Sequence, residues 1–511
     1  MSRFLSRFFL LIFPAACAVG AFAQAPQHVE EASARTASSA HVQPLARNNV
    51  FGVFAVSSKS PEARKLVENA VDQYENVLLD QSISTAKLAT QKDPHFALAY
   101  AVLAFASRRG EPNPEARAKA RELSKSAPPE EKLLVKWMTS VEDDSLLPAI
   151  ASMNDLLTKF PNDKHVLYLT SEWLYFQQDY DRSRAMMEKI LTIDPNFPPA
   201  LNMLGYSWVE TGNPDPVKAI RYLKKYAEVQ PTQPNPEDSL GEVSRFVGDD
   251  QGSIEHYSLA LKINPLFITS QIGLGDTSTL MGNFARARQE YEKAEVIATN
   301  PRDLFHISYQ KALVFFWENN PEEGFRVLDT LALRAEQSGE PYAFYEISLG
   351  RALLTPDRAE QLRRLESLEA KYSAPVTGMS EGDRNPSLAE ILRDEVRVHF
   401  QLGHSDAAQS TIKKLETLAS NSRDLIVSGD YDSVLGLVHL QKDDFDGAVD
   451  GLSSDAHSPL MLQQLAFAQE RAGDKAGAEN TKLRLKFMRG PTVEWFLVSH
   501  SVADQGVSAS N

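Results

Sequence analysis

The sequence predicts an all-α chain built as a solenoid of antiparallel helix pairs. The first observation is a ruler of prolines. Pro94 ("QKDP"), Pro128 ("KSAP"), Pro161 ("TKFP"), Pro195 ("TIDP"), Pro231 ("EVQP"), Pro265 ("KINP") and Pro301 ("ATNP") each close a helical pattern, 33 to 36 residues apart. Proline stops a helix because it lacks the N–H and clashes with the preceding turn. The second is a small residue between successive prolines, followed by another twelve later: Ala104/Ala116, Ser171/Ser183, Gly241/Ser253, Gly275/Ala287, Ala312/Gly324, Gly436/Ala448 and Ala466/Ala478. Gly205/Ala219 is the same pair stretched by a "NPDP" turn. Small residues let two antiparallel helices approach closely at a fixed crossing point. The third is apolar residues at helical spacing around those points, as in Leu201, Leu204 and Trp208, then Ile220, Leu223 and Tyr226.

Taken in order, the chain starts "MSRFLSRFFLLIFPAACAVGAFAQ". A basic start, an apolar run and small residues before Gln24 are the pattern of a secretory signal peptide over 1–23, so the chain is expected to be exported, periplasmic or secreted. The apolar run is broken by Pro14 and is short for a membrane span. A lipid anchor at Cys17 fits poorly, because Pro14 stands where such a motif wants Leu. Cys17 is the single cysteine, so a cleaved chain has no disulfide and no thiolate chemistry. Residues 24–60 carry no period and read as a flexible lead-in. Helical pairs follow over 61–372. The polar stretch 373–386 ("SAPVTGMSEGDRNP") reads as a loop. Pairs resume over 387–490, for about a dozen in all, and 491–511 reads as a cap, with Trp495 and Phe496 on the last repeat, and a tail.

The stretch 271–294, "QIGLGDTSTLMGNFARARQEYEKA", tests this reading. Gly273 and Gly275 form a G-x-G that hints at a phosphate loop. Such a loop needs a strand before it and a helix after it. Here the glycines lie inside a helical pattern, Gly275 at the helix contact, with Gly282–Asn283 as the inter-helix turn. A repeat of this length with Leu-Gly, a later Ala, an aromatic and a closing Pro resembles the tetratricopeptide repeat (TPR). "LGYSWVETGN", "SLGEVSRFVGDDQGSIEHYSLALKINP" and "LGDTSTLMGNFARARQEYEKA" carry it best. The resemblance implies a right-handed superhelix with an extended concave groove.

Composition and motifs narrow the function. A net charge of −15 argues against nucleic acid and against anionic lipid. None of the eleven histidines falls in H-E-x-x-H or at metal-ligand spacing. "GDYDSVLG" and "KDDFDGAVDG" lack the oxygen ladder of a calcium loop; Asp443 and Asp444 are expected at an inter-helix turn. There is no G-x-S-x-G and no P-loop, and no cofactor is expected.

The TPR resemblance implies that the first helix of each pair lines the groove. The candidate partner-binding residues are then His165, Tyr168, Glu172, Tyr175 and Phe176, next Asn202, Tyr206, Val209 and Glu210, next Asp238, Glu242, Arg245 and Phe246, and then Asp276. This is an expected aromatic floor with acidic teeth. Relatives that capture a C-terminal carboxylate place Lys, Asn and Arg where this chain has Tyr168, Asn202, Asp238 and Glu172, so that mode is not expected. Aromatic and acidic groups suit an extended segment with apolar side chains and some Lys or Arg. Three readings stand: an exported scaffold that binds a protein or peptide, an envelope glycan binder, and an enzyme whose site carries no known motif.

Overall fold

The computed structural model describes residues 55–108, 113–142, 146–177, 179–209, 214–422, 424–454 and 458–507. The expected signal peptide, and all but the end of the lead-in, lie outside them. Within them the chain is helical throughout, as twelve consecutive pairs and one last helix. The pairs are α1 (Pro61–Glu75) with α2 (Leu79–Lys92), α3 (Ala97–Ser107) with α4 (Pro114–Ser124), α5 (Pro129–Glu142) with α6 (Leu146–Lys159), and α7 (Lys164–Phe176) with α8 (Tyr180–Ile193). Next come α9 (Pro198–Ser207) with α10 (Pro216–Val229), α11 (Asn235–Val247) with α12 (Asp250–Ile263), α13 (Ile268–Leu280) with α14 (Phe284–Ile297), and α15 (Pro301–Trp317) with α16 (Pro321–Gln337). The last are α17 (Pro341–Leu353) with α18 (Arg358–Tyr372), α19 (Glu381–Leu402) with α20 (Ser405–Asn421), α21 (Leu425–Leu440) with α22 (Phe445–Ser453), and α23 (Pro459–Ala472) with α24 (Lys475–Phe487). The unpaired helix is α25 (Val493–Val507).

The proline ruler is a repeated turn. In "DPHF", "DPNF" and "NPLF" the N–H groups of Phe96, Phe197 and Phe267 donate to the carbonyls of Asp93, Asp194 and Asn264 at 3.0–3.1 Å. The side chains of those three residues also accept from the N–H two residues on, at 3.0–3.2 Å. The proline ends one helix and the Asp or Asn side chain closes the turn into the next. Ser60 and Asp163 before first helices, and Asn113, Asp179, Asp215, Asp249 and Asp444 within pairs, accept from first-turn amides as N-caps. Gly282, at φ +74°, supplies the left-handed residue between α13 and α14.

The twelve-residue ruler is the crossing point. Ser183 Oγ donates to the carbonyl of Ser171 at 2.7 Å, across the α7–α8 contact. A Cβ at Gly205 would sit 2.4 Å from Leu223, one at Gly241 2.8 Å from Tyr257, and one at Gly275 2.6 Å from the ring of Tyr291. Tyr291 is fully buried and donates its hydroxyl to Asp276 at 2.7 Å, so it cannot swing away. Gly275→Leu is therefore expected to cost about 1–3 kcal/mol through overpacking. A urea melt of that variant matching wild type would refute the packing.

The stretch 373–386 is a loop only in part. Helix α19 starts at Glu381 and contains Pro386. Ser380 caps it, accepting from the N–H of Asp383 at 3.1 Å, and Pro386 is buried among its neighbours. One apolar cluster continues on both sides of the loop, from Phe305 and Tyr345 through Leu365 to Leu392 and Val434.

Candidate functional site

The first helices of the pairs touch one another in succession, α1 with α3, α3 with α5, α9 with α11, α11 with α13 and α19 with α21, and form the inner face. They are buried nearly all round; in α13 every residue from Ser270 to Thr279 is buried. The second helices bury a single stripe, as Ala219, Leu223 and Tyr226 in α10. The polar residues of the inner face are therefore enclosed and must find partners within the chain.

They find them in three networks. In the first, the end of α1 meets α7, three pairs further on. Glu75 Oε2 lies 2.8 Å from His165 Nδ1, and Tyr74 donates to Glu172 at 2.7 Å. Tyr168 donates to the carbonyl of Glu75 at 3.3 Å, and Arg108 to Tyr74 at 2.8 Å. Burial works against a charge on His165, but the Glu75 carboxylate outweighs it and raises the imidazole above its ordinary value. In the second, three successive first helices are tied by charge. Tyr206 donates to Glu242 at 3.1 Å, Arg245 pairs with Glu242 at 3.0 Å and with Asp276 at 3.3 Å. Asn202 accepts from Ser239 at 2.9 Å and Asp238 from Ser270 at 2.5 Å. Burial pushes Asp238 up to about 7, against the pull of the Ser270 hydroxyl.

Among the candidate residues the sequence singled out, Tyr206, Glu242, Arg245 and Asp276 come together in one network. His165, Tyr168 and Glu172 come together in another. Phe246 is 1% exposed in the apolar core, and Tyr175 packs edge-on against Phe176 and Tyr180. Phe176 is half-buried, and Glu210 lies outside the described residues. Most of the residues of the expected aromatic floor and acidic teeth are thus buried and paired within the chain. The rings and teeth are present, but they face other parts of the chain. Part of the enclosure comes from the end of α1, which meets α7 three pairs further on. Tyr168, Tyr175, Tyr206 and Phe246, the rings a sugar would stack on, are buried as well.

The third network holds residues that sequence reasoning missed. Arg393 of α19, with 2% of its side chain exposed, pairs with Asp394 at 3.1 Å, Asp430 of α21 at 3.0 Å and Glu494 of α25 at 3.3 Å. Arg397 pairs with Asp394 at 3.0 Å, and Tyr345 donates to Glu390 at 2.7 Å. Burial works against the Arg393 charge, but the carboxylates dominate and hold it on. The available signal was "LRDEV", a charged triplet inside a helix among the apolar Leu388, Ile391, Leu392, Val396 and Val398. Such a triplet has no solvent face and must be paired inside.

Helix α25 packs on α23 of the last pair and also reaches well beyond it. Phe496 packs against Phe316 and Trp317 of α15, with ring centroids 6.3 and 5.3 Å apart, and Val493 joins the core of α15–α21. Before it, Arg489 donates to the carbonyl of Arg245 at 3.2 Å and forks onto Asp250. Its partners lie chiefly on first helices, so it lies along the inner face of the C-terminal half rather than only on the last pair. A groove of about 780 Å³ between α8, α9 and α10 is lined by Leu191, Leu201, Val217, Ile220, Arg221 and Lys224 among others.

No protein-family model and no curated protein matches the chain. Similar solved structures include yeast Tom70, at TM-score 0.41 and 14% identity, covering 81% of this chain and 96% of that one. A tetratricopeptide repeat protein from Parabacteroides merdae scores 0.34 at 15% identity over 53% of this chain and 93% of its own. PilW, a type IV pilus biogenesis factor, scores 0.34 at 17% identity over 40% of this chain and 91% of its own. No helix among the described residues is long and apolar enough to cross a membrane. Stacked helix pairs, with small residues at their crossings and an Asp/Asn-Pro-x-Phe turn at three of their junctions, make this chain a TPR-like helical solenoid.

Proposed function

We propose that the chain is a non-catalytic scaffold of the cell envelope or exterior, holding a protein or peptide segment against its inner face. The observation that carries this reading is α25: the inner face already grips one helical segment, through an ion pair and an aromatic shelf. The N-terminal sequence supports export. The stacked pairs support binding, because a solenoid offers an extended surface built from many first helices. The partner contacts proposed from sequence, His165 to Asp276, act in this reading mainly by shaping the face. Half-exposed groups such as Phe176 and Phe496 are the ones a partner reaches first.

The test is photocrosslinking in the producing cells. A photoreactive phenylalanine analogue is placed at Phe176, at Phe496 or at Val217 in the groove between α8, α9 and α10. A scaffold that uses its inner face yields defined protein adducts from Phe176 or Phe496 and none from Val217. Adducts from Val217 alone would move the binding face to that groove, and no protein adduct from any position would refute the scaffold reading.

A further inference from the structure

Helix α25 differs from the other helices in what it touches. The paired helices pack chiefly on their own partner and on adjacent pairs. The segment 489–500 reaches from α24 to the α11–α12 junction through Arg489 and Asp250, to α15 through Phe496, to α19 and α21 through the Arg393 cluster, and to the start of α23. It lies where a bound segment would lie.

Its central contact is a built carboxylate receptor. Glu494, 7% exposed, is met by Arg393 at 3.3 Å, by the Ser458 hydroxyl at 2.7 Å and by the N–H of Leu460 at 3.4 Å. Ser458 is the N-cap of α23, so the carboxylate also sits at the positive end of a helix. Arg393 also holds carboxylates that lie outside α25. Arg393 and Arg397 are already met by Asp394, Asp430 and Glu390, so Glu494 is an additional carboxylate rather than the one that neutralises Arg393. Two residues on, Phe496 rests on Phe316 and Trp317, while Trp495, Phe496 and Leu497 stay half-exposed.

From this arrangement we infer that α25 is a displaceable self-ligand. The inner face of α15–α23 is a helix-binding site, and its partner is an amphipathic helix carrying an apolar residue, a carboxylate and, two residues on, an aromatic, as in "VEWF". A partner of that chemistry replaces Glu494 on Arg393, Ser458 and Leu460, and replaces Phe496 on Phe316 and Trp317. This inference rests on the scaffold reading and names the site and the partner's chemistry.

The experiment uses the chain with all its pairs and a fluorescent peptide of residues 492–500, TVEWFLVSH. Val493→Ala with Phe496→Ala in the chain loosens α25 without touching the receptor. That variant should bind the peptide at least about tenfold tighter than wild type, because its own α25 competes less. A peptide with Glu494→Gln should bind about tenfold or more weaker, as expected on losing a charge-assisted contact. Equal binding by both chains, or by both peptides, overturns the inference. If the variant does not fold, hydrogen exchange on the wild-type chain decides. Amides of 493–500 should exchange at least about tenfold faster than those of α19, and faster still with excess peptide, as for a sub-global opening. If they exchange together with α19 whether or not peptide is present, α25 is part of the core and the inference fails. The two readings fail separately. Protein adducts with a locked α25 keep the scaffold and reject the self-ligand, whereas an exchanging α25 without adducts does the reverse.

Discussion

Arg393→Met unfolds the C-terminal half first and costs about 3–5 kcal/mol, the usual result of removing one partner from a buried ion cluster. The arginine has 2% of its side chain exposed, and Asp394 and Asp430 have none. Arg397 keeps Asp394 company when Arg393 is gone. Asp430 loses its cation at a position that water does not reach. Methionine fills much of the volume, so the loss reports charge rather than a cavity. The double variant Arg393→Met with Asp430→Asn should recover about 1–3 kcal/mol, since the two sites are directly coupled. Stability in a solenoid is close to a sum over pairs and their interfaces. Hydrogen exchange should therefore accelerate in α19–α23 and stay unchanged in α3–α5. A uniform acceleration, or none, would show that the cluster does not hold this half together.

Glu395→Gln stabilises the chain at pH 9 by about 2–4 kcal/mol and changes it little at pH 5. Glu395 is 1% exposed, and no hydrogen-bond partner reaches its Oε1. Burial first, and then the carboxylates of Glu369 and Glu366, push it up to about 8; Lys414 opposes them but is tied to Glu369 at 2.7 Å. His399 and His404 stand nearby, and burial keeps His399 below its ordinary value. A carboxyl whose folded pKa lies above its unfolded one binds its proton more tightly in the folded state. Its contribution is complete below the unfolded pKa and is lost as pH rises towards 8. Asp238 and Glu390, each near 7, act with the same sign. So do His165 and His306, raised by Glu75 and Glu346 against the effect of burial. Glutamine keeps the shape of Glu395 and cannot ionise. Melting temperatures of wild type and variant should therefore nearly coincide at pH 5 and separate at pH 9. An equal gap at both pH values would mean that Glu395 is not the titrating group.

The helix pairs were legible because their punctuation is local. Pro94, Pro195 and Pro265 end helices by covalent geometry, and the Asp or Asn before each closes the turn with its own side chain. Gly275 and Ser171 were legible as crossing points because a small residue has one good use at that spacing. Pro386 misled in the same way that these informed. A proline among polar residues reads as a break, but Ser380 caps the helix five residues upstream of Asn385 and the ring packs inside it.

What the sequence by itself determined is the all-α class, the succession of pairs, the turns between them and the first helices on which His165, Glu172, Glu242 and Asp276 fall. All of these depend on contacts within one pair or between neighbours. Only the tertiary structure decided that those side chains are enclosed, that Arg393 anchors a buried charge cluster, and that α25 returns along the inner face to Phe316 and Trp317. Each depends on how far the chain turns per pair. That small angle, set by packing between helices and summed over many pairs, determines which residues meet across the axis. No local pattern in the sequence encodes the sum.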